Sequence, residues 1–249
     1  LVKGEKGLRE KQEVTSPNNG NVIGSVILST PELAKAAVDN ARKGFRAWSA
    51  TPVEARAKAL KKAADLLEAK RDEFMALLTR EAGKTYDDGL SEVREAVDFC
   101  RFYANEAVRL FGESVLPGPT GEDNSLRHRG RGVFVCISPW NFPLAIFAGQ
   151  VVAALAAGNA VVAKPAEQTP LVAFRMVQLL HEAGVPLDAL MFVPGDGKIG
   201  AALTSHSKID GVCFTGSTET AWAINRTLAA KNGPIVPLIA ETGGMNAMI

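Results

Sequence analysis

The chain has 249 residues, 47% apolar and 22% charged, with 28 Lys and Arg against 27 Asp and Glu for a net charge of +1. That length fills one large α/β domain or two small ones with ample core, and the near-neutral balance gives no general attraction to nucleic acid or acidic lipid. Composition excludes disorder and collagen-like repeats, and three scattered cysteines, Cys100, Cys136 and Cys213, form neither a zinc cluster nor a disulfide framework.

The expected setting is therefore reducing and cytoplasmic, and the charge-rich stretch Leu1 to Val14 lacks the apolar core of an export signal. Thr30-Pro31 opens a first helix, with Leu33, Ala37, Ala41, Phe45 and Trp48 as its inward stripe. Thr51-Pro52-Val53-Glu54 opens a second in capping-box fashion. Its apolar positions Leu60, Ala63, Leu67, Phe74 and Leu78 keep helical spacing up to a stop at Gly83. A third helix is predicted from about Leu90 to Phe111. Gly112 to Arg131 is rich in Gly and Pro and carries Arg127, His128, Arg129 and Arg131. Without interleaved aromatics this reads as a solvated or interface hairpin rather than a phosphate patch.

From Gly132 the pattern alternates strand and helix. Strands are predicted at Gly132 to Ile137, Ala160 to Ala163, Leu190 to Val193, Gly211 to Phe214 and Ile235 to Ala240. Helices are predicted at Phe142 to Ala157, Thr169 to Ala183, Ile199 to Thr204 and Ser217 to Ala230. Short apolar runs separated by helices indicate parallel strands covered on both faces, a doubly wound α/β sheet preceded by a helical region over 1–131. The apolar stretch Phe142 to Ala163 is as long as a membrane span, but Pro143, Gly149, Gln150, Gly158 and Asn159 interrupt it, so it reads as buried helix then strand.

Such sheets bind ligands at the carboxyl ends of their strands, so the loops there carry the functional candidates. In Ser138-Pro139-Trp140-Asn141-Phe142-Pro143 two prolines stiffen the turn. The Asn141 amide can serve as an oxyanion donor or simply satisfy the turn's own backbone. In Lys164-Pro165-Ala166-Glu167-Gln168-Thr169-Pro170, Lys164 and Glu167 present a donor and an acceptor suited to a ribose diol; Glu167 would repel a 2′-phosphate, favouring NAD over NADP. The alternative is a Lys/Glu pair decorating a helix start. Gly195-Asp196-Gly197-Lys198-Ile199-Gly200 matches G-x-G-x-x-G but in the third βα unit, and reads as a tight turn rather than a pyrophosphate loop. Phe214-Thr215-Gly216-Ser217-Thr218-Glu219 runs into a helix and is the better pyrophosphate candidate, with ordinary N-capping by Ser217 compatible with either role. Glu241-Thr242-Gly243-Gly244 ends the last apolar strand. Partial burial of Glu241 is expected there, moving the carboxyl toward the range useful for a general base.

Taken in order, these strand-end motifs resemble the aldehyde dehydrogenase superfamily, over essentially the whole chain. Glu92 to Phe99, Cys136 to Phe147 and Ile239 to Ile249 more narrowly resemble the L-glutamate γ-semialdehyde dehydrogenase module of the bacterial proline utilisation A family. The resemblance implies a Rossmann-like NAD-binding core over 132–249 and oxidation of L-glutamate γ-semialdehyde to glutamate with NAD. A cysteine thiolate attacks the aldehyde, hydride passes to the cofactor and water hydrolyses the thioester. It implies Asn141 at the oxyanion and Glu241 activating the water. Lys164 and Glu167 would lie on the adenine ribose, with Gly216 and Ser217 on the pyrophosphate. Ile137, Ser138, Trp140, Phe214, Thr242 and Gly243 would line the cofactor's path, Gly197 and Gly200 its adenosine end, and Phe142 the aldehyde tunnel. It also implies homo-oligomers paired through a hairpin, here 112–131, and leaves open a fused proline dehydrogenase domain before Leu1.

The nucleophile of that family belongs to a catalytic domain past the Glu-x-Gly-Gly motif, so the chain is expected to be a segment of a longer enzyme, with Ala247 to Ile249 a strand cut short. Cys100, Cys136 and Cys213 are expected to be inert. A non-catalytic NAD-binding module, or a dehydrogenase for another aldehyde such as succinate semialdehyde, are the alternatives.

Overall fold

A computed structural model describes residues 10–243. The chain opens with an antiparallel hairpin, β1 (Lys11–Thr15) and β2 (Val22–Ile27), a pair of strands that the expected helical region with its hairpin at 112–131 does not include. Four helices follow: α1 (Pro31–Ala50), α2 (Val53–Ala69), α3 (Arg71–Ala82) and α4 (Tyr86–Phe111). Thr30 caps α1 as expected, accepting from Leu33 N at 3.3 Å. The buried face of α1 centres on Ala34, Ala37, Val38, Ala41, Gly44 and Trp48, so Leu33 and Phe45 sit at its margin. The capping box at Thr51 does not form. Pro52 occupies the N-cap without a side-chain bond, and the Thr51 hydroxyl donates back to Ala47 O at 3.0 Å. The helix expected to reach Gly83 unbroken is split at Lys70, yet Leu60, Ala63, Leu67, Phe74 and Leu78 are all fully buried. The next helix starts at Tyr86, earlier than predicted, because Thr85 accepts from Asp88 N at 3.1 Å and acts as its N-cap. A short exposed hairpin, β3 (Ser114–Leu116) with β4 (Asn124–Leu126), lies within 112–131.

The rest is β5 (Val133–Ile137), α5 (Ala145–Ala156), β6 (Ala160–Lys164), α6 (Pro170–Ala183), β7 (Leu190–Phe192), α7 (Gly197–Thr204), β8 (Gly211–Thr215), α8 (Thr218–Ala229) and β9 (Leu238–Glu241). These five strands form one parallel sheet in the order β7-β6-β5-β8-β9, the doubly wound arrangement that the alternating pattern implied. One face is covered by α2 to α6, with Leu60, Phe74, Phe147, Val151 and Met176 at its centre. The other is covered by α1, α7 and α8, through Ala37, Ala41, Ile199 and Ile224. The helical region therefore closes the sheet's core. Among the described residues no helix is long and apolar enough to cross a membrane, and Phe142 to Ala163 divides into α5 and β6.

The winding reverses between β5 and β8, and a parallel sheet opens a crevice at the carboxyl ends of the strands flanking that reversal. The site lies there. Gly244 and the terminal run Ala247 to Ile249 lie outside the described residues.

Candidate active site

Every residue to which the family resemblance gives a role lines one cleft of about 1170 Å³ along the carboxyl edge of the sheet. The β5 loop supplies Ile137, Ser138, Trp140, Asn141 and Phe142, and the β6 loop Lys164 and Glu167. Gly197 and Gly200 come from the start of α7, Phe214, Gly216 and Ser217 from the β8–α8 turn, and Glu241, Thr242 and Gly243 from the end of β9. Asn141 and Glu241 thus face the same cleft, from strands two apart in the sheet.

Ser138 continues the β5–β6 ladder through its N–H to Lys164 O at 3.2 Å, and its buried hydroxyl has no partner. Trp140, Asn141 and Phe142 then emerge into the cleft. Of the two readings left open for Asn141, capping of its own turn is not what the structure shows. The side-chain hydrogen bonds at this loop come from Glu92 and Gln150, and among the described residues the Asn141 amide makes none to the turn. Gln150 on α5 bonds the Thr215 hydroxyl at 2.9 Å and, with its amide turned to satisfy both ends, donates to Ile137 O at 3.3 Å, lacing β5 to β8 at the floor.

Lys164 is almost wholly buried. Its Nζ donates to Pro165 O at 3.1 Å and lies 3.7 Å from Glu167 Oε2, and burial lowers its pKa from the ordinary lysine range. A desolvated cation beside a half-exposed carboxylate is a polar pair turned into the cleft, not surface decoration of a helix start. Gln12 of β1 donates to Glu167 O at 3.3 Å and fixes that loop from outside.

The two glycine-bearing turns differ in how their donors are used. At α7 the Asp196 carboxylate takes the N–H groups of Lys198 and Ile199, at 2.9 and 3.4 Å, so the G-x-G-x-x-G turn spends its anion-binding donors on its own cap. At α8 Ser217 caps Thr220 N at 3.2 Å, while the N–H groups of Thr218 and Glu219 have no backbone acceptor among the described residues. A helix N-terminus with open donors suits a diphosphate.

Glu241 departs from expectation. The last three residues of β9 are exposed, Glu241 among them, because among the described residues β9 is the edge strand and pairs only with β8. Its backbone is anchored through Gly216 N to Glu241 O at 3.2 Å, and its side chain reaches open solvent on the cleft.

Several cleft residues lie outside the expected set. Gln150 is the one polar side chain on the otherwise apolar α5, and that isolation is the signal that marks it in the sequence. Phe99 and Tyr103 of α4 form an aromatic wall, and Cys213 also faces the cleft although placed in an apolar strand. Cys136 is buried beside its register partner Cys213, and that contact with burial holds it as the thiol. Cys100 is buried in α4 and its pKa is pushed up to about 12.

The donor set suits a dinucleotide. It offers an unpartnered buried hydroxyl at Ser138, a buried cation with an adjacent acceptor, and a helix N-terminus with open N–H groups. Among the described residues there is no cluster of metal-ligating side chains.

A model of the aldehyde dehydrogenase family matches residues 2–249. The chain is 48% identical to the bifunctional protein PutA of Klebsiella aerogenes over 96% of its own length and 18% of that protein's. It is 39% identical to the 1-pyrroline-5-carboxylate dehydrogenase of Geobacillus thermodenitrificans, spanning 100% of this chain and 50% of that one. Among solved structures, a mutant of PutA from Bradyrhizobium japonicum superposes with a TM-score of 0.87 and 66% identity over 88% of this chain and 23% of that one. A 1-pyrroline-5-carboxylate dehydrogenase from Thermus with bound NAD gives 0.89 and 36% identity over 94% of this chain and 47% of that one. The chain thus spans about half the length of the single-function relatives and about a fifth of the bifunctional ones. It belongs to the aldehyde dehydrogenase family.

Proposed function

We propose that this chain supplies the NAD site, the oxyanion amide and the general-base carboxylate of a dehydrogenase that oxidises L-glutamate γ-semialdehyde to glutamate in proline catabolism. The observation that carries the reading is convergence. Segments following all five strands of the sheet meet in one cleft, with the Asn141 amide and the Glu241 carboxylate on its rim. The relatives named for 1-pyrroline-5-carboxylate dehydrogenase and PutA, and the Thermus structure with bound NAD, support the choice of substrate and cofactor.

In this reading Lys164 and Glu167 hold the adenine ribose, while Gly216, Ser217 and the open N–H groups of α8 meet the diphosphate. Ile137, Ser138, Trp140, Phe214, Thr242 and Gly243 line the path between them, and Gly197 and Gly200 flank the adenosine. Bound NAD supplies the hydride acceptor. Asn141 donates to the oxygen that gains charge when a thiolate adds to the aldehyde, and Phe142 flanks the aldehyde's approach. Glu241, open to solvent, takes a proton from the hydrolytic water. The nucleophile is assigned to the part of the longer relatives that this chain does not span, and Cys100 and Cys136, as buried thiols, and Cys213, in the sheet beside Cys136, do not take that role. The exposed β3–β4 hairpin serves subunit pairing, a cytoplasmic setting suits the free thiols, and the PutA relatives support a fused proline dehydrogenase domain.

The test is NADH formation by the longer enzyme containing this chain, with glutamate γ-semialdehyde, succinate semialdehyde and a simple aldehyde. Preference for the first supports the reading. Preference for another aldehyde reassigns the substrate, and NAD binding without turnover of any of them reduces the chain to a binding module.

A further inference from the structure

Helix α5 begins without a cap of its own. Its N-cap residue is Leu144, whose side chain can accept nothing, and both Leu144 and Ala145 are fully buried. Buried N–H groups at a helix start need an acceptor. It comes from the helical layer: Glu92 of α4 places Oε1 at 2.8 Å from Leu144 N and 3.2 Å from Ala145 N. The Glu92 side chain is wholly inaccessible, and burial raises its pKa against the opposing pull of those bonds and of Lys84. Its second oxygen makes no hydrogen bond and lies 3.4 Å from Lys84 Nζ. The Lys84 ammonium in turn sits 3.9 Å from the centre of the Phe142 ring.

The segment from Phe142 to Ala145 is therefore gripped twice by one ion pair, through its backbone by the carboxylate and through its aromatic ring by the ammonium. Asn141 immediately precedes it. We infer that Glu92 and Lys84 are positioning residues that aim the Asn141 amide and the Phe142 ring at the aldehyde. Neither residue lines the cleft, so both act through the loop they hold. The cofactor loops after β6 and β8 hang from other contacts, Gln12 to Glu167 and Gly216 to Glu241, and are independent of this pair. The inference rests on the proposed oxyanion role of Asn141 for its kinetic consequence, but its structural half stands without it.

The experiment uses the longer enzyme containing this chain, with Glu92→Gln, Glu92→Ala and Lys84→Met. Glu92→Gln keeps an acceptor for the α5 amides while removing the charge opposite Lys84, and so remains testable should Glu92→Ala fail to fold. Two readouts are taken. Hydrogen exchange over 138–145 is expected to quicken about tenfold in Lys84→Met and Glu92→Gln, with 164–170 unchanged, as local release of a held loop requires. kcat/KM for the aldehyde is expected to fall about 100-fold, comparable to loss of an oxyanion donor, with the Kd of NAD unchanged. Lys84→Arg, which keeps the cation over the ring, is expected to restore most of it. Unchanged exchange at 138–145, or parallel loss of NAD affinity and melting temperature, would overturn the inference. If the wild-type enzyme oxidises none of the aldehydes, the proposed function fails while the exchange result still decides whether the pair holds the loop.

Discussion

Glu81 offers the sharpest thermodynamic test of this architecture. It lies near the end of α3, 3% exposed, and accepts from Leu171 N at 2.6 Å and Val172 N at 2.8 Å, capping α6 just after the loop that carries Lys164 and Glu167. Desolvation outweighs those two bonds and raises its pKa from 4.5 to about 7. The folded state then holds a proton that the unfolded state has released, so stability is fully present below pH 4.5, declines as pH rises, and levels off above about 7. At about 1.4 kcal/mol per unit, the shift amounts to about 3 kcal/mol. Glu81→Gln removes the titration. It also turns one acceptor into a donor facing an N–H group, a pH-independent cost of about 1–3 kcal/mol. The wild-type chain is expected to be the more stable at pH 5, with the gap closing by about 3 kcal/mol, and closing fully or reversing, by pH 8. Urea midpoints for both proteins at pH 5, 6, 7 and 8 measure this, and the other titrating groups cancel in the difference. A wild-type-minus-variant difference that stays flat across that range would refute the account of Glu81 as a carboxyl dominated by desolvation.

Three further outcomes follow from the same reasoning. Lys164→Met is expected to weaken NAD binding by about 10- to 100-fold, the worth of a charged hydrogen bond, without lowering the melting temperature, because it removes a buried cation whose charged form is already disfavoured. Calorimetric titration and thermal melts separate the two effects. Gly44→Ala should destabilise by about 1–3 kcal/mol in chemical denaturation, reversing the usual gain of alanine in a helix, since the added Cβ would run into the Asp188 backbone carbonyl. In the longer enzyme Asn141→Ala is expected to cut kcat about 100- to 1000-fold while leaving NAD affinity intact, and a kcat within a few-fold of wild type would remove Asn141 from the oxyanion role.

The sheet and its site loops were legible because the relevant information is local. A run such as Ala160 to Ala163, too short for a helix and apolar on both faces, can only be a central strand, and the polar cluster after it must lie at its carboxyl end. Once the strands are parallel, Ser138 to Phe142, Lys164 to Glu167, Gly216-Ser217 and Glu241 fall on one rim by topology alone. Burial of Glu241 was misjudged for a related reason. Strand hydrophobicity does not tell an edge from a centre, and among the described residues β9 has a neighbour on one side only.

What stayed hidden was the support beneath the loops, because its partners are distant in the chain. Glu81 and Leu171 are 90 residues apart, Glu92 and Leu144 are 52 apart, and Gln150 and Thr215 are 65 apart. Even so, the two carboxylates left a trace. Glu81 follows Phe74 and Leu78 on the buried stripe of α3, and Glu92 precedes Ala96 and Cys100 on that of α4, positions where helical spacing calls for an apolar side chain. Carboxylates are seldom fully buried unpaired, so a Glu on an inward stripe demands a donor set from elsewhere in the fold. Both helices here that lack a side-chain cap and open at a site loop, α5 at Leu144 and α6 at Thr169, provide one. The missing caps and the misplaced carboxylates are two halves of the same contacts. The carboxylates and the capless start of α5 at Leu144 are visible in the sequence, whereas Thr169 before Pro170 reads as a cap and makes no such bond. Joining them requires only that the helices lie over the sheet face from which α5 and α6 start, which is where α2, α3 and α4 pack.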